Sequence, residues 1–216
     1  MLREIISNEW YVILFVLCLC FLALAKRSFS KRFDDFLLLV GNSKYLKIYA
    51  RDQKFIDQFD ALLFINLIVS LSIFCFLGYS TFVDNIAFNL ITFLKLLLGI
   101  GALILIKVLL ERLIGSLFQI DTLIDSYLFQ KTNYKNFTGL LLLPINILLV
   151  FTIPLSANVF YIIFGLLFTI NLIGFITSIK THQKTIINNI FYFILYLCAL
   201  EIAPYVILYK LFISSK

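Results

Sequence analysis

Six times along its 216 residues the chain runs apolar for as long, or nearly as long, as a helix needs to cross the ~30 Å hydrocarbon layer of a bilayer. The runs are 9–25, 61–82, 86–110, 138–155, 159–179 and 187–209. A segment in hydrocarbon must satisfy its own backbone polar groups, so repeated runs of this length leave essentially one solution: a bundle of spanning helices. The expected fold is therefore all-α, a polytopic transmembrane bundle of about six spans forming a single integral membrane domain over 1–216. Composition agrees. Hydrophobic residues make up 62% of the chain and charged residues 14%, against about 45–50% and about 25% in soluble domains.

The basic residues lie in the connecting segments, which predicts orientation. Segments 26–60, 111–137 and 180–186 carry thirteen Lys and Arg, whereas the N-terminal segment, 83–85, 156–158 and the C-terminal tail carry three. Positive charge favours the cytoplasmic side, so those three basic segments are expected inside and both termini outside. The net charge of +6 then reads as topogenic, with no nucleic-acid partner expected. "ALA" at 23–25 resembles a signal-peptidase site, but Arg3 is opposed by Glu4 and Glu9, and the strong positive charge follows in "KRSFSKR". The first run is therefore expected to be retained as a helix.

The long basic loops have pattern of their own. Segment 26–60 mixes apolar and charged residues as interfacial helices do, with a break at Gly41-Asn42. In 111–137, Leu113, Leu117, Ile120, Ile124 and Leu128 fall near one helical stripe, with Asp121 and Asp125 beside it. That loop is expected to continue the third helix or to lie along the membrane.

Charged and amide residues inside apolar runs are the candidates for chemistry. Glu201 stands in "LCALEIAP", and an acid at membrane depth costs at least about 2.5–3.5 kcal/mol unless it meets a partner or cavity. At about 1.5 Å per residue, Glu201 lies roughly 21 Å from the inner start of its run and Lys95 roughly 13 Å from the outer start of its own, which puts them at similar depth. A Lys95–Glu201 pair or shared polar cavity is the expectation, with Pro204 kinking the helix and freeing the Leu200 carbonyl. Asn66, Asn89, Asn146 and Asn171, one in each of the second to fifth runs, are expected to form interhelical contacts. Pro144 and Pro154 suggest a bent fourth helix, and Lys107 should snorkel inward.

Little else has a chemical signature. Cys18, Cys20, Cys75 and Cys198 all lie in apolar runs, and His182 is the one histidine, so no metal site, cofactor or catalytic residue is expected from spacing. His182, between Lys180 and Lys184, suits a lipid headgroup.

"NNIFYFILYLCALEIAPYVILYK", together with "ERLIGSLFQID", "NYKNFTGLLLLP" and "KRF" after the first run, resembles an uncharacterised family of small polytopic inner-membrane proteins of Bacteroidota-type bacteria. The resemblance covers nearly the whole chain. It implies that Asn189, Tyr192, Tyr196, Glu201 and Pro204 occupy the family's final-helix positions, and an association with envelope machinery such as gliding and type IX secretion. The leading expectation is a non-enzymatic inner-membrane subunit or assembly factor, with membrane lipids and a membrane-protein partner or a second copy as its contacts. A small proton-coupled carrier using Glu201 and Lys95, or a lipid-modifying membrane enzyme, are the alternatives.

Overall fold

The computed structural model describes residues 9–41, 44–49, 57–83, 88–181 and 210. Its regular structure is helical: α1 (Glu9–Ser28), α2 (Ser30–Leu37), α3 (Lys44–Tyr49), α4 (Gln58–Phe82), α5 (Leu90–Leu117), α6 (Asp121–Phe151) and α7 (Ala157–Thr181). Five of these, α1, α4, α5, α6 and α7, are long and apolar enough to cross a membrane. The sixth apolar run, 187–209, lies outside the described residues, and with it Glu201 and Pro204.

α4 and α6 form the centre. They pack on each other more extensively than any other pair, and α1, α5 and α7 lean against them. Burial follows the same order: 56% and 50% of the apolar windows of α4 and α6 are buried, against 22%, 11% and 17% for α1, α5 and α7. Two small residues set the closest crossings. A Cβ on Gly139 would stand 2.6 Å from the Leu67 Cα, and one on Gly174 would stand 2.5 Å from the Tyr134 ring, so glycine lets α4 and α7 approach α6.

Aromatic contacts identify the two ends. At one, the starts of α1, α5 and α7 meet the ends of α4 and α6, through Tyr11–Phe88, Phe15–Phe151, Phe76–Phe93 and Phe82–Phe160. At the other, α2 and α3 fold onto the bundle. Phe36 touches Tyr45, Phe59 and Phe137, and Tyr45 stacks on Phe129. These rings join Ala25, Phe33, Leu39, Leu46 and Leu63 in one buried cluster. The second end also holds Lys26, Arg27, Arg32, Arg112 and Lys131 and is called the basic end below.

The helices overrun the apolar runs that announced them. α5 continues to Leu117 and α6 begins at Asp121, so 111–137 is the tip of a helical hairpin rather than a loop on a surface. At 31 residues α6 is about 46 Å long, well beyond the ~30 Å hydrocarbon layer. The stripe expected through 111–137 is divided by the turn: Leu113 and Leu117 are exposed, whereas Ile120, Ile124 and Leu128 are buried. Gln119 makes the turn with φ 56°. Ile120 N–H donates to the Gly115 carbonyl and Gln119 N–H to that of Ser116, a Schellman closure that meets the last carbonyls of α5. Pro144 lies within α6, while Pro154 falls beyond its end. On the first loop, α2 and α3 flank a turn at 38–41 beside Gly41, as the break there suggested.

Candidate functional site at the basic end

α4 begins where it does because Asp57 caps it, its Oδ1 accepting from Phe59 N–H at 3.2 Å, with Asp60 in the first turn. Two acids at a helix N-terminus suit the dipole, and together they form a receptor for a cation. Arg32, presented by α2, fills it. Nη1 donates to Asp57 Oδ2, Nη2 to Asp60 Oδ2 at 3.1 Å, and Nε to the Tyr45 hydroxyl at 3.3 Å. The guanidinium also lies 4.6 Å from the Phe59 ring centre and 5.2 Å from that of Tyr49, a cation–π contact on two sides.

The network runs on into α6. Tyr45 donates to Asn133 Oδ1 at 3.1 Å, and Asn133 Nδ2 donates to the Phe129 carbonyl at 2.8 Å. Tyr49 donates to Asp35 Oδ2 at 3.3 Å. One arginine thereby ties α2, α3, α4 and α6 together. Burial opposes the charge on Arg32, but Tyr45, Asp60 and Asp57 outweigh it and raise its pKa. Burial, and then the Asp60 charge, raise the Tyr45 phenol, while Arg32 acts the other way. Burial and Asp35 raise Tyr49.

A second set of ion pairs closes the α5–α6 hairpin. Lys131 Nζ lies 2.6 Å from Glu111 Oε1, and the Glu111 side chain is fully buried while 14% of the Lys131 side chain is exposed. Lys131 also sits 5.6 Å over the Tyr127 ring. Nearer the tip, Arg112 meets Asp125 in a two-point contact, Nε–Oδ1 at 3.2 Å and Nη2–Oδ2 at 3.4 Å. Such pairs match charge with charge, so their chemistry is cohesive.

Between these clamps lie buried amides. Gln130, Asn136 and Asn66 are at most 2% exposed. Among the described residues, Gln130 Oε1, both side-chain polar atoms of Asn136 and of Asn66, and the second carboxylate oxygens of Glu111 and Asp60 have no hydrogen-bond partner. Among the described residues no group of three His, Cys, Asp or Glu side chains is placed to hold a metal ion.

The intramembrane candidates fall at separate places. Lys95 is exposed on α5, and its expected partner Glu201 is outside the described residues. Asn146 donates from Nδ2 to the Ser70 carbonyl of α4 at 2.7 Å. Asn171 donates to Thr138 Oγ1 of α6 at 3.4 Å and to its own helix at the Leu167 carbonyl. Asn66 is buried without a hydrogen-bond partner among the described residues. Asn89, expected to reach a neighbouring helix, instead caps α5: its Oδ1 accepts from Ile91 and Thr92 N–H, because the side chain of a residue just before a helix is placed to satisfy those free donors.

Sequence reasoning passed over Arg32, Tyr45, Asn133 and the Glu111–Lys131 pair. A signal existed for the first. Asp57 and Asp60 stand just ahead of an apolar run, as N-cap and first-turn acids do. No sequence signal joined Glu111 to Lys131, because the turn that pairs them was hidden in an apparent loop.

Fold and site together define a class: a bundle that is all-helical in its described residues, five of whose described helices are long and apolar enough to cross a membrane, clamped at one end by ion pairs and aromatic rings. Within that class the chain belongs to the DUF4271 family, a domain of unknown function whose family model matches residues 11–212. Neither the curated proteins nor the solved structures contain a match.

Proposed function

We propose that this chain is a non-enzymatic subunit or assembly factor of a larger complex in a bacterial inner membrane, with basic segments 26–60, 111–137 and 180–186 in the cytoplasm and both termini in the periplasm. The observation that carries this reading is the division of the bundle into a buried pair and exposed flanks. Only 11% of the α5 window and 17% of the α7 window are buried. Large side chains stand out along both, among them Leu98, Leu103, Tyr161 and Ile162. Faces of this kind suit lipid and neighbouring helices. Arg32, Arg112 and Lys131 of the basic end are paired within the fold, which supports a rigid platform more than a reactive centre. Thirteen basic residues against three support the orientation. The resemblance of the final run to Bacteroidota-type inner-membrane proteins supports an association with gliding or type IX secretion machinery.

The experiment is affinity purification of the full chain from native membranes in mild detergent. A stoichiometric membrane partner is expected. A lone monomer or homo-oligomer, with no stoichiometric partner, would count heavily against the proposal. Reporter fusions after Lys216 should register a periplasmic C-terminus.

A second reading, a small proton-coupled carrier, is favoured by the buried and unpartnered Asn66 and Asn136 of α4 and α6, which place polar groups inside the bundle. It requires Glu201 and Lys95 to share a path with them. Proton flux in proteoliposomes that survives Glu201→Gln unchanged would remove it.

A further inference from the structure

We infer that the end of α2 and the turn at 38–41, carrying Leu37, Leu38 and Val40, form a lipid-inserting wedge, seated in the headgroup region of an anionic leaflet beside the bundle. Three observations lead there, and they hold whether or not the chain joins a larger complex.

The α2–α3 unit has two apolar faces, not one. Phe33, Phe36, Leu39, Tyr45 and Leu46 are buried against the bundle. Leu37, Leu38, Val40 and Ile48 are 44%, 62%, 38% and 45% exposed. The outer set comes from the end of α2, the turn at 38–41 and α3. Water would favour polar residues at a connecting turn, so an apolar one marks a surface that meets something else.

Its depth is set by the helices it touches. Phe36 meets Phe59 edge to face with ring centres 5.8 Å apart. Phe59 lies about 35 Å along α4 from Phe82, slightly more than the ~30 Å hydrocarbon thickness. If α4 spans the bilayer, Phe36 is therefore at the boundary between acyl chains and headgroups, and Leu37 and Leu38 follow it directly. That is the level at which short amphipathic segments bury an apolar face.

Charge selects the lipid. Lys26, Arg27 and Lys31 are exposed on the end of α1 and the start of α2, at the same boundary. Asp34 is the exposed acid of α2, while Asp35 accepts from Tyr49 and Arg32 is occupied by Asp57 and Asp60. The outward-facing balance is positive. Each such basic residue near the surface attracts the phosphates of anionic lipids.

The experiment uses the full chain in nanodiscs of phosphatidylethanolamine and phosphatidylglycerol, with Trp10→Phe removing the single tryptophan and Leu38→Trp reporting the wedge. Lipids brominated near the glycerol end of the acyl chain should quench most of the Leu38→Trp emission, which should be blue-shifted. Val40→Trp should behave alike, and Asp34→Trp should emit as in water. Replacing Lys26, Arg27 and Lys31 together with Gln should abolish the dependence of quenching on phosphatidylglycerol content. Water-like, unquenched emission from both Leu38→Trp and Val40→Trp overturns the inference. So does emission that shifts blue only in native membranes, because that marks a face covered by protein. Quenching that never depends on anionic lipid overturns the role of the three basic residues.

Discussion

Gly139 of α6 lies against the backbone of Leu67 of α4, where a Cβ would come within 2.6 Å of the Leu67 Cα. Backbone cannot swing aside as a side chain can. Gly139→Ala is therefore expected to force the central helices apart and to destabilise the bundle by about 1–3 kcal/mol or more. A Cβ added at Gly99 or Gly165 would meet nothing within 4 Å beyond its own helix among the described residues; Ala there should be neutral or stabilising by up to about 1 kcal/mol through helix propensity. Thermal unfolding in detergent, followed by the loss of monodisperse protein, separates the two cases.

Glu111 and Lys131 should show strong non-additivity. Lys131→Met leaves a buried carboxylate without its cation, at a cost of about 3–5 kcal/mol, and Glu111→Leu strands a mostly buried ammonium. The double variant Glu111→Leu/Lys131→Met should recover most of that loss. If the two single effects simply add, the pair is not a coupled unit.

Arg32 should matter more than either of its acids. Arg32→Ala removes contacts to Asp57, Asp60 and Tyr45 together and leaves two acids facing each other, an expected loss of about 3 kcal/mol. Asp57→Asn and Asp60→Asn each keep one ion pair and should cost less. Limited proteolysis after Lys31 should speed up in Arg32→Ala, since the α2–α3 unit loses its anchor.

Tyr45 predicts a response to alkaline pH. Its phenol is raised above the ordinary value of 10.0 by burial and by Asp60, so the fold favours the neutral form. The resulting stability is complete below pH 10.0 and declines as pH rises toward the folded-state value. Tyr45→Phe should lower stability at neutral pH by about 1 kcal/mol through the lost hydrogen bonds. It should also flatten the alkaline limb of the stability curve, measured as midpoint against pH.

Gln119 occupies a left-handed backbone position, φ 56°, at the Schellman closure of α5. Gln119→Gly should stabilise the hairpin by about 1 kcal/mol and Gln119→Val should destabilise it by a similar amount, because a β-branched side chain resists that conformation. Comparison of the two unfolding midpoints measures the effect.

Hydropathy was a good guide to where helices are and a poor one to where they end. Runs 61–82 and 159–179 differ from α4 and α7 by a few residues. Run 138–155, by contrast, misses seventeen residues at the start of α6. The reason is physical: between Asp121 and Phe137 the helix carries Lys131, Gln130, Asn133 and Asn136, whose polarity reads as loop. In the fold Asn133 bonds Tyr45 and Lys131 bonds Glu111, so the helix carries on past the apolar stretch. The α2–α3 unit was legible as amphipathic, but Arg32 was one basic residue among eight in its segment, and only tertiary packing distinguishes it. Asn89 shows the converse. Its place in an apolar run suggested a bridge between helices, whereas a shift of four residues in the helix start makes it a cap.

The central pair of this bundle is not a pair in the order of synthesis. Asn146 reaches the Ser70 carbonyl across 76 residues, with the whole of α5 between them. α4 therefore enters its surroundings carrying Asn66 and Ser70 before the helix that buries them has been made, and α5 arrives as a flank to a centre that does not yet exist. The centre is completed only when α6 is made, after the α5 flank and before the α7 flank. A nascent chain halted before Phe151 would display buried-face amides and the Leu67 backbone to lipid or to quality-control proteases, which makes the stretch from Asp121 to Phe151 the interval over which assembly of this protein is decided.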